Sequence, residues 1–177
     1  MGTQTKFISK LAHAVDVDFE AIYQEELPRV YNFFRYRVGD DQVAEDLTAE
    51  TFEKAWRNRE KYRHDLASFS TWLFTLARRI GTDHYRRHRP TVPLEDAKHV
   101  PESQTLEETA QQRADFKLLS LLLSRLAERE RELVALKYGA GLTNRAITRI
   151  TGLSESNVST ILYRVTHQLR AQWENEP

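Results

Sequence analysis

The chain has 177 residues, 26 Lys+Arg balanced by 26 Asp+Glu, and no cysteine. That length suits one or two small domains. Missing thiols exclude disulfides and thiolate metal sites, and no apolar run approaches the roughly 18 residues of a membrane span. No membrane insertion is expected, and a reducing cytoplasm fits. The N-terminal MGTQTKFISKLAHAV has two lysines but no long apolar stretch, so it reads as an amphipathic lead-in, not a signal peptide.

Zero net charge conceals an alternation. Residues 1–57 carry −4, 58–89 carry +5, 90–115 carry −4 and 116–177 carry +3. The alternation implies a basic partner for some surfaces and a polyanion for others.

In chain order, Phe19, Ile22, Tyr23, Leu27, Val30, Tyr31, Phe34 and Val38 keep helical spacing, with Asp18 as N-cap and Gly39 as stop. Pro28 is expected to kink or split this helix. Val43, Leu47, Phe52, Ala55 and Trp56 form a second stripe, capped by Asp40 or Asp41. Its outward face carries Glu45, Asp46, Glu50 and Glu53.

The third segment, FSTWLFTLARRIGTDHYRRHRP from Phe69 to Pro90, is apolar first and basic second. Phe69, Trp72, Leu73, Leu76 and Ile80 are expected to face the core. Arg78, Arg79, Arg86, Arg87 and Arg89 can neutralise phosphates. Residues 90–115 are acidic, hold three prolines and have no sustained apolar stripe, which predicts an extended linker.

Beyond it, Leu118, Leu119, Leu122, Leu123 and Leu126 precede Leu133, Val134, Leu136 and Tyr138, with a GAG turn at 139–141. Thr143 can cap a short helix that Gly152 ends, and Ser154 can cap a longer one with Val158, Ile161, Leu162, Val165 and Leu169 inward. That is the pattern of a helix-turn-helix. The exposed face of the second helix offers Ser156, Asn157, Ser159, Thr160, Tyr163 and Arg164 to base edges or phosphates. Arg145, Arg149 and Arg170 lie nearby to hold the backbone. His167 reads as a surface histidine.

Three segments together resemble the bacterial extracytoplasmic-function sigma factors. VAEDLTAETFEKAWR (43–57) is similar to that family's core-polymerase-binding helix. YRHDLASFSTWLFTLARRIGTDHYRR (62–87) is similar to its promoter-melting segment, and residues 123–169 to its −35-reading domain. The resemblance implies an all-α chain of two small helical domains. They are a region 2-like bundle at 1–89 and a region 4-like helix-turn-helix at 116–177, joined by a flexible acidic linker at 90–115.

It further implies core RNA polymerase and promoter DNA as partners, with an anti-sigma factor as a third candidate. Glu45, Asp46, Glu50 and Glu53 fall on the polymerase-binding helix. Asn58, Arg63, Arg78, Arg79, Arg86 and Arg87 fall on the segment that opens and reads the −10 element. There a loop at about 58–68 captures a flipped base, where stacking on a side chain returns about 1–3 kcal/mol. The −35 contacts fall to Arg145, Arg149, Ser156, Asn157, Ser159, Thr160, Tyr163 and Arg164. In the family the linker threads the polymerase channel that later holds RNA.

The chain departs from the family pattern in three places. Arg79 stands where asparagine is usual, and Ala127 where proline is. Ser159, Ile161, Thr166 and Gln168 stand where the recognition helix is usually cationic. Weak independent −35 binding is therefore expected.

The rival readings are three. An enzyme would use His64–Asp65 or Asp83–His84 with His88 as a metal site, but the neighbouring arginines repel a cation and no general base is evident. No catalytic residue, metal or cofactor is assigned. A helix-turn-helix regulator acting without polymerase leaves the acidic helix unexplained. A sigma-like protein that only sequesters or scaffolds is the third.

Overall fold

The computed structural model of the chain describes residues 19–88 and 109–175. Asp18, Arg89 and the acidic residues between 90 and 108 lie outside the described residues. Among the described residues, every regular element is a helix.

Helix α1 is Phe19–Val38. Pro28 does not split it. Both Pro28 and Gln24, whose carbonyl loses its intrahelical donor, are exposed, so water can satisfy that group. Gly39, at φ 73°, ends α1 in a backbone conformation that side chains disfavour. Asp40, not Asp41, caps α2 (Asp41–Arg57), its carboxylate accepting from the Val43 amide. Ser68 caps α3 (Phe69–Arg87) in the same way. Phe33, Phe34, Leu73, Phe74 and Ala77 are fully buried where the three helices meet, and Phe33 meets Phe74 edge-on at 5.9 Å.

Helix α4 spans Ala110–Ser124, so it starts inside the expected linker. Its start is set by polar atoms rather than by an apolar stripe. Thr109 and Gln112 form a reciprocal capping box that satisfies two amides of the first turn. Helix α5 is Glu128–Val134 and continues as a π-helical turn over Ala135–Gly139. Helices α6 (Asn144–Thr151) and α7 (Glu155–Asn175) form the expected hairpin. Thr143 caps α6, Gly152 ends it at φ 76°, and Ser154 accepts from the Asn157 amide at the head of α7.

The two halves pack together into one continuous apolar core. The π-turn lies on α1 so closely that a Cβ on Gly139 would stand 2.8 Å from the Asn32 carbonyl. Arg29 Nε donates to the Ala140 carbonyl at 2.9 Å, and the Arg35 guanidinium stacks on Phe116 at 3.7 Å. Arg37, a buried cation, reaches across to Glu132 at 3.1 Å and Glu128 at 3.3 Å. Gly81 leaves the room it needs: a Cβ there would lie 2.7 Å from its Nη1.

Glu26 is buried beside Arg29. Burial raises its carboxyl above the ordinary 4.5, with the Arg29 charge opposing. A raised carboxyl holds its proton more tightly folded than unfolded. Its contribution is therefore present below about 4.5 and is lost as pH rises through the folded pKa. Glu26→Gln is expected to flatten that fall, as read by urea unfolding at stepped pH. Parallel curves for the two proteins would contradict the assignment.

Candidate nucleic-acid interface

Between α2 and α3 the chain makes a short 3-10 turn, Arg59–Lys61, and an open loop. The Asn58 amide donates back to the Lys54 carbonyl, closing the end of α2. Tyr62 donates to the Ala67 carbonyl at 3.1 Å, and its ring meets Phe69 at 5.4 Å and Trp72 at 5.3 Å. Of the five side chains expected to face the core from α3, Leu73 and Ile80 do so completely. Phe69, Trp72 and Leu76 are half-buried. Phe69 and Trp72 instead join Tyr62 in an aromatic rim. Beside it Leu66 is 75% exposed, and Arg59 lies over the Trp56 ring.

The cations fall into different surroundings. Arg79, Arg86 and Arg87 are exposed along α3. Arg63 is held by Asp65 through two contacts of 2.9 and 2.7 Å. Arg78, about 100° around the helix from Arg79, faces a different side. Its Nε lies 3.1 Å from the buried Glu132 carboxylate of α5. The sequence does not tell the adjacent arginines apart; in the structure Arg78 meets Glu132 and Arg79 is exposed.

His84 and His88 stack at 4.1 Å, and burial, then the His88 charge, lowers the His84 pKa. Among the described residues no group of three or more His, Cys, Asp or Glu is placed to hold a metal ion. Asp65 is engaged by Arg63.

On α2, Ala44, Leu47, Thr48, Thr51, Phe52 and Ala55 are buried, which leaves Glu45, Asp46, Glu50 and Glu53 exposed. Gln42 touches Asp46, and Arg57 pairs with Glu53 on this solvated face.

On α7, Val158, Leu162 and Val165 are buried, and Ser156, Asn157, Ser159, Thr160, Tyr163 and Arg164 are exposed. Two of these are already engaged within the domain. Ser159 accepts from the Asn144 amide at 2.9 Å, and Arg164 pairs with Glu130 of α5. Tyr163 packs on His167 with ring centroids 4.6 Å apart. Arg145 and Arg149 are exposed on α6. Sequence periodicity could not show these pairings, nor Tyr62's part in the rim. The Tyr-x6-Phe-x2-Trp spacing over Tyr62, Phe69 and Trp72 is the only signal for that rim.

The family description Sigma-70 region 2 matches residues 22–91, and Sigma-70, region 4 matches residues 116–165. The ECF RNA polymerase sigma factor SigM of Bacillus subtilis is 29% identical over 153 residues, covering 86% of this chain and 93% of that protein. The ECF RNA polymerase sigma factor BldN of Streptomyces coelicolor is 32% identical over 167 residues, covering 89% of this chain. The chain spans 61% of BldN's length. The fold matches the sigma factor RpoE solved with the anti-sigma factor NepR from Bartonella quintana, with TM-score 0.69 and 20% identity over 90% of this chain and 99% of that one. It also matches CnrH solved with the cytosolic domain of CnrY, with TM-score 0.66 and 18% identity over 94% and 96%. Fold, modules and relatives agree on a two-module, all-helical sigma-70 architecture. The chain belongs to the extracytoplasmic-function (ECF) RNA polymerase sigma factors.

The Tyr62 bond ties the loop to the rim. Tyr62→Phe is expected to cost about 0.5–1.5 kcal/mol in urea unfolding and to speed amide exchange at Ala67 and Ser68. Unchanged exchange there would show that the bond does not order the loop.

Proposed function

We propose that the chain binds core RNA polymerase and directs it to promoters by reading a −10 and a −35 element and helping to open the duplex. The observation that carries this reading is that one chain matches both Sigma-70 regions, with the acidic face of α2, Arg79, Arg86 and Arg87 of α3 and the polar face of α7 all exposed. The acidic face of α2 suits a basic polymerase surface. Tyr62, Phe69 and Trp72 offer stacking to an unpaired base, Asn58 and Arg63 flank the same loop, and Arg79, Arg86 and Arg87 are exposed further along α3. Arg78 belongs to the same set once Glu132 releases it.

In region 4, Ser156 and Asn157 lie in the first turn of α7, the end that enters the major groove in helix-turn-helix docking. Ser159, Thr160, Tyr163 and Arg164 follow along the helix, and Arg145 and Arg149 hold the backbone. Few cations stand on α7 itself, so region 2 must supply occupancy through the tether. An anti-sigma factor is a further partner in this reading, since RpoE was solved with one. Residues 90–115 complete it as the segment between the readers. No catalytic group or cofactor is assigned, and the site of action is the cytoplasm, where polymerase works.

Run-off transcription with purified core polymerase on a genomic promoter library tests the reading. Specific start sites that depend on the chain are expected. DNA binding with no transcripts would favour a helix-turn-helix regulator that acts without polymerase.

Two variant sets separate the surfaces. Glu45→Lys with Asp46→Lys is expected to weaken core binding in a pull-down at least severalfold, with an unaltered circular dichroism spectrum. Retained affinity would remove α2 from the interface. Asn157→Ala is expected to change which −35 base is preferred, a discrimination of about 1–3 kcal/mol. Arg149→Ala should weaken all promoters about equally. Unaltered base preference in Asn157→Ala would move the reading residues elsewhere on α7.

A further inference from the structure

The last turn of α3 ends in two histidines that none of the proposed surfaces uses. His84 and His88 stand one turn apart, and their rings stack with centroids 4.1 Å apart and planes 26° apart. His84 is half-buried and His88 is exposed. Positions i, i+3 and i+4 of a helix share a face, so the exposed Arg87 completes a triad with them.

One bond sets the chemistry of the pair. His88 Nδ1 lies 2.9 Å from the His84 carbonyl. A carbonyl only accepts, so Nδ1 carries the hydrogen, and Nε2 is the nitrogen left to gain a proton. The ring keeps this bond whether neutral or charged, so protonation needs no rotation.

The surroundings hold back that proton in the free chain. Burial, then the His88 and Arg87 charges, sets the His84 pKa below the ordinary 6.5, and Arg37 of α1 adds to them. Glu50 of α2 opposes the shift. Asp83, the carboxylate on this turn of α3, meets Arg86 at 3.9 Å. Two cationic rings face to face repel, which disfavours charging both. A phosphate held by Arg87 changes the balance. The anion favours the charged ring, and a charged imidazole donates to a phosphate oxygen in a charge-assisted bond. Residues 58–89 carry +5, which favours a polyanion over a free anion as the source of that phosphate.

We propose that His84, Arg87 and His88 form a proton-gated phosphate contact at the end of α3, which takes up a proton as nucleic acid binds and releases it as nucleic acid leaves. The contact deepens the promoter-reading function and rests on it for the identity of the nucleic acid. Its sign follows from linkage. A group that is more basic in the complex than in the free chain makes binding tighten as pH falls. Each linked proton changes affinity about tenfold per pH unit between the two midpoints. Each ring charged by the strand also adds about 0.7 to the salt slope on single-stranded DNA.

A mixed-sequence single-stranded 12-mer is titrated into the full chain at low salt. Calorimetry in two buffers of different ionisation enthalpy counts the protons taken up, and anisotropy gives the affinity at stepped pH between about 6 and 8. Net uptake, with affinity rising as pH falls, is expected. His84→Gln with His88→Gln is expected to abolish both with an unaltered circular dichroism spectrum. His88→Gln alone changes only an exposed side chain and is expected to lower the uptake even where the double variant misfolds. Arg87→Ala is expected to lower uptake and affinity together.

No binding across the pH range, binding without uptake, or uptake unchanged by His88→Gln overturns the proposal. So does a His84-dependent loss of core polymerase capture at low pH with the 12-mer unaffected, which would assign the pair to Glu50 and a basic partner. Run-off transcription separates the two readings. Start sites without proton uptake leave promoter reading standing and remove the contact, and uptake without start sites does the reverse.

Discussion

Arg37 is buried with 4% of its side chain exposed, and the arrangement of the two halves follows from the need to satisfy it. Burial lowers its pKa, and the Glu132 and Glu128 charges oppose that shift. Among the described residues, region 2 offers it neutral acceptors, the Arg78 carbonyl and Thr82 hydroxyl. The opposing charges come from α5 of region 4. Removing one partner of a buried pair typically costs about 3–5 kcal/mol. Gly81 fits the same constraint, since any larger residue would collide with the guanidinium.

The candidate surfaces inherit their geometry from this packing. Helix α3 turns Arg78 into the seam and leaves Arg79 on the outside, one cation for the inner face and one for solvent. Region 4 is thereby fixed with α7's polar face outward. Arg164 is steadied by Glu130 and Ser159 by Asn144. A proposed reading face whose cations are few and partly engaged suits a domain delivered to its DNA by another.

Much of the architecture was legible from local signals. Apolar spacing marked α1, α2, α3 and α7. Asp40, Ser154, Thr143 and Gly152 act at chain ends where one hydrogen bond or one positive φ decides the boundary. The start of α4 was not legible, because the capping box of Thr109 and Gln112 replaces the apolar stripe that the linker reading required. Pro28 leaves α1 unsplit because the carbonyl it frees, that of Gln24, meets water. Phe69 and Trp72 lie on the correct face of α3 but at its rim, where periodicity does not distinguish core from edge. The seam was invisible, since Arg37 and Glu132 stand 95 positions apart and no local rule pairs them. For the same reason Arg78 and Arg79 could not be told apart.

The proposed function requires one chain to place two readers on one promoter. Photo-cross-linking from positions 79 and 157 in the assembled holoenzyme, mapped on the same DNA, tests it most directly. Cross-links from the two positions about 25 base pairs apart, or about 85 Å along the duplex, are the predicted result. Cross-links from both positions within one helical turn, or none from position 79, would contradict it.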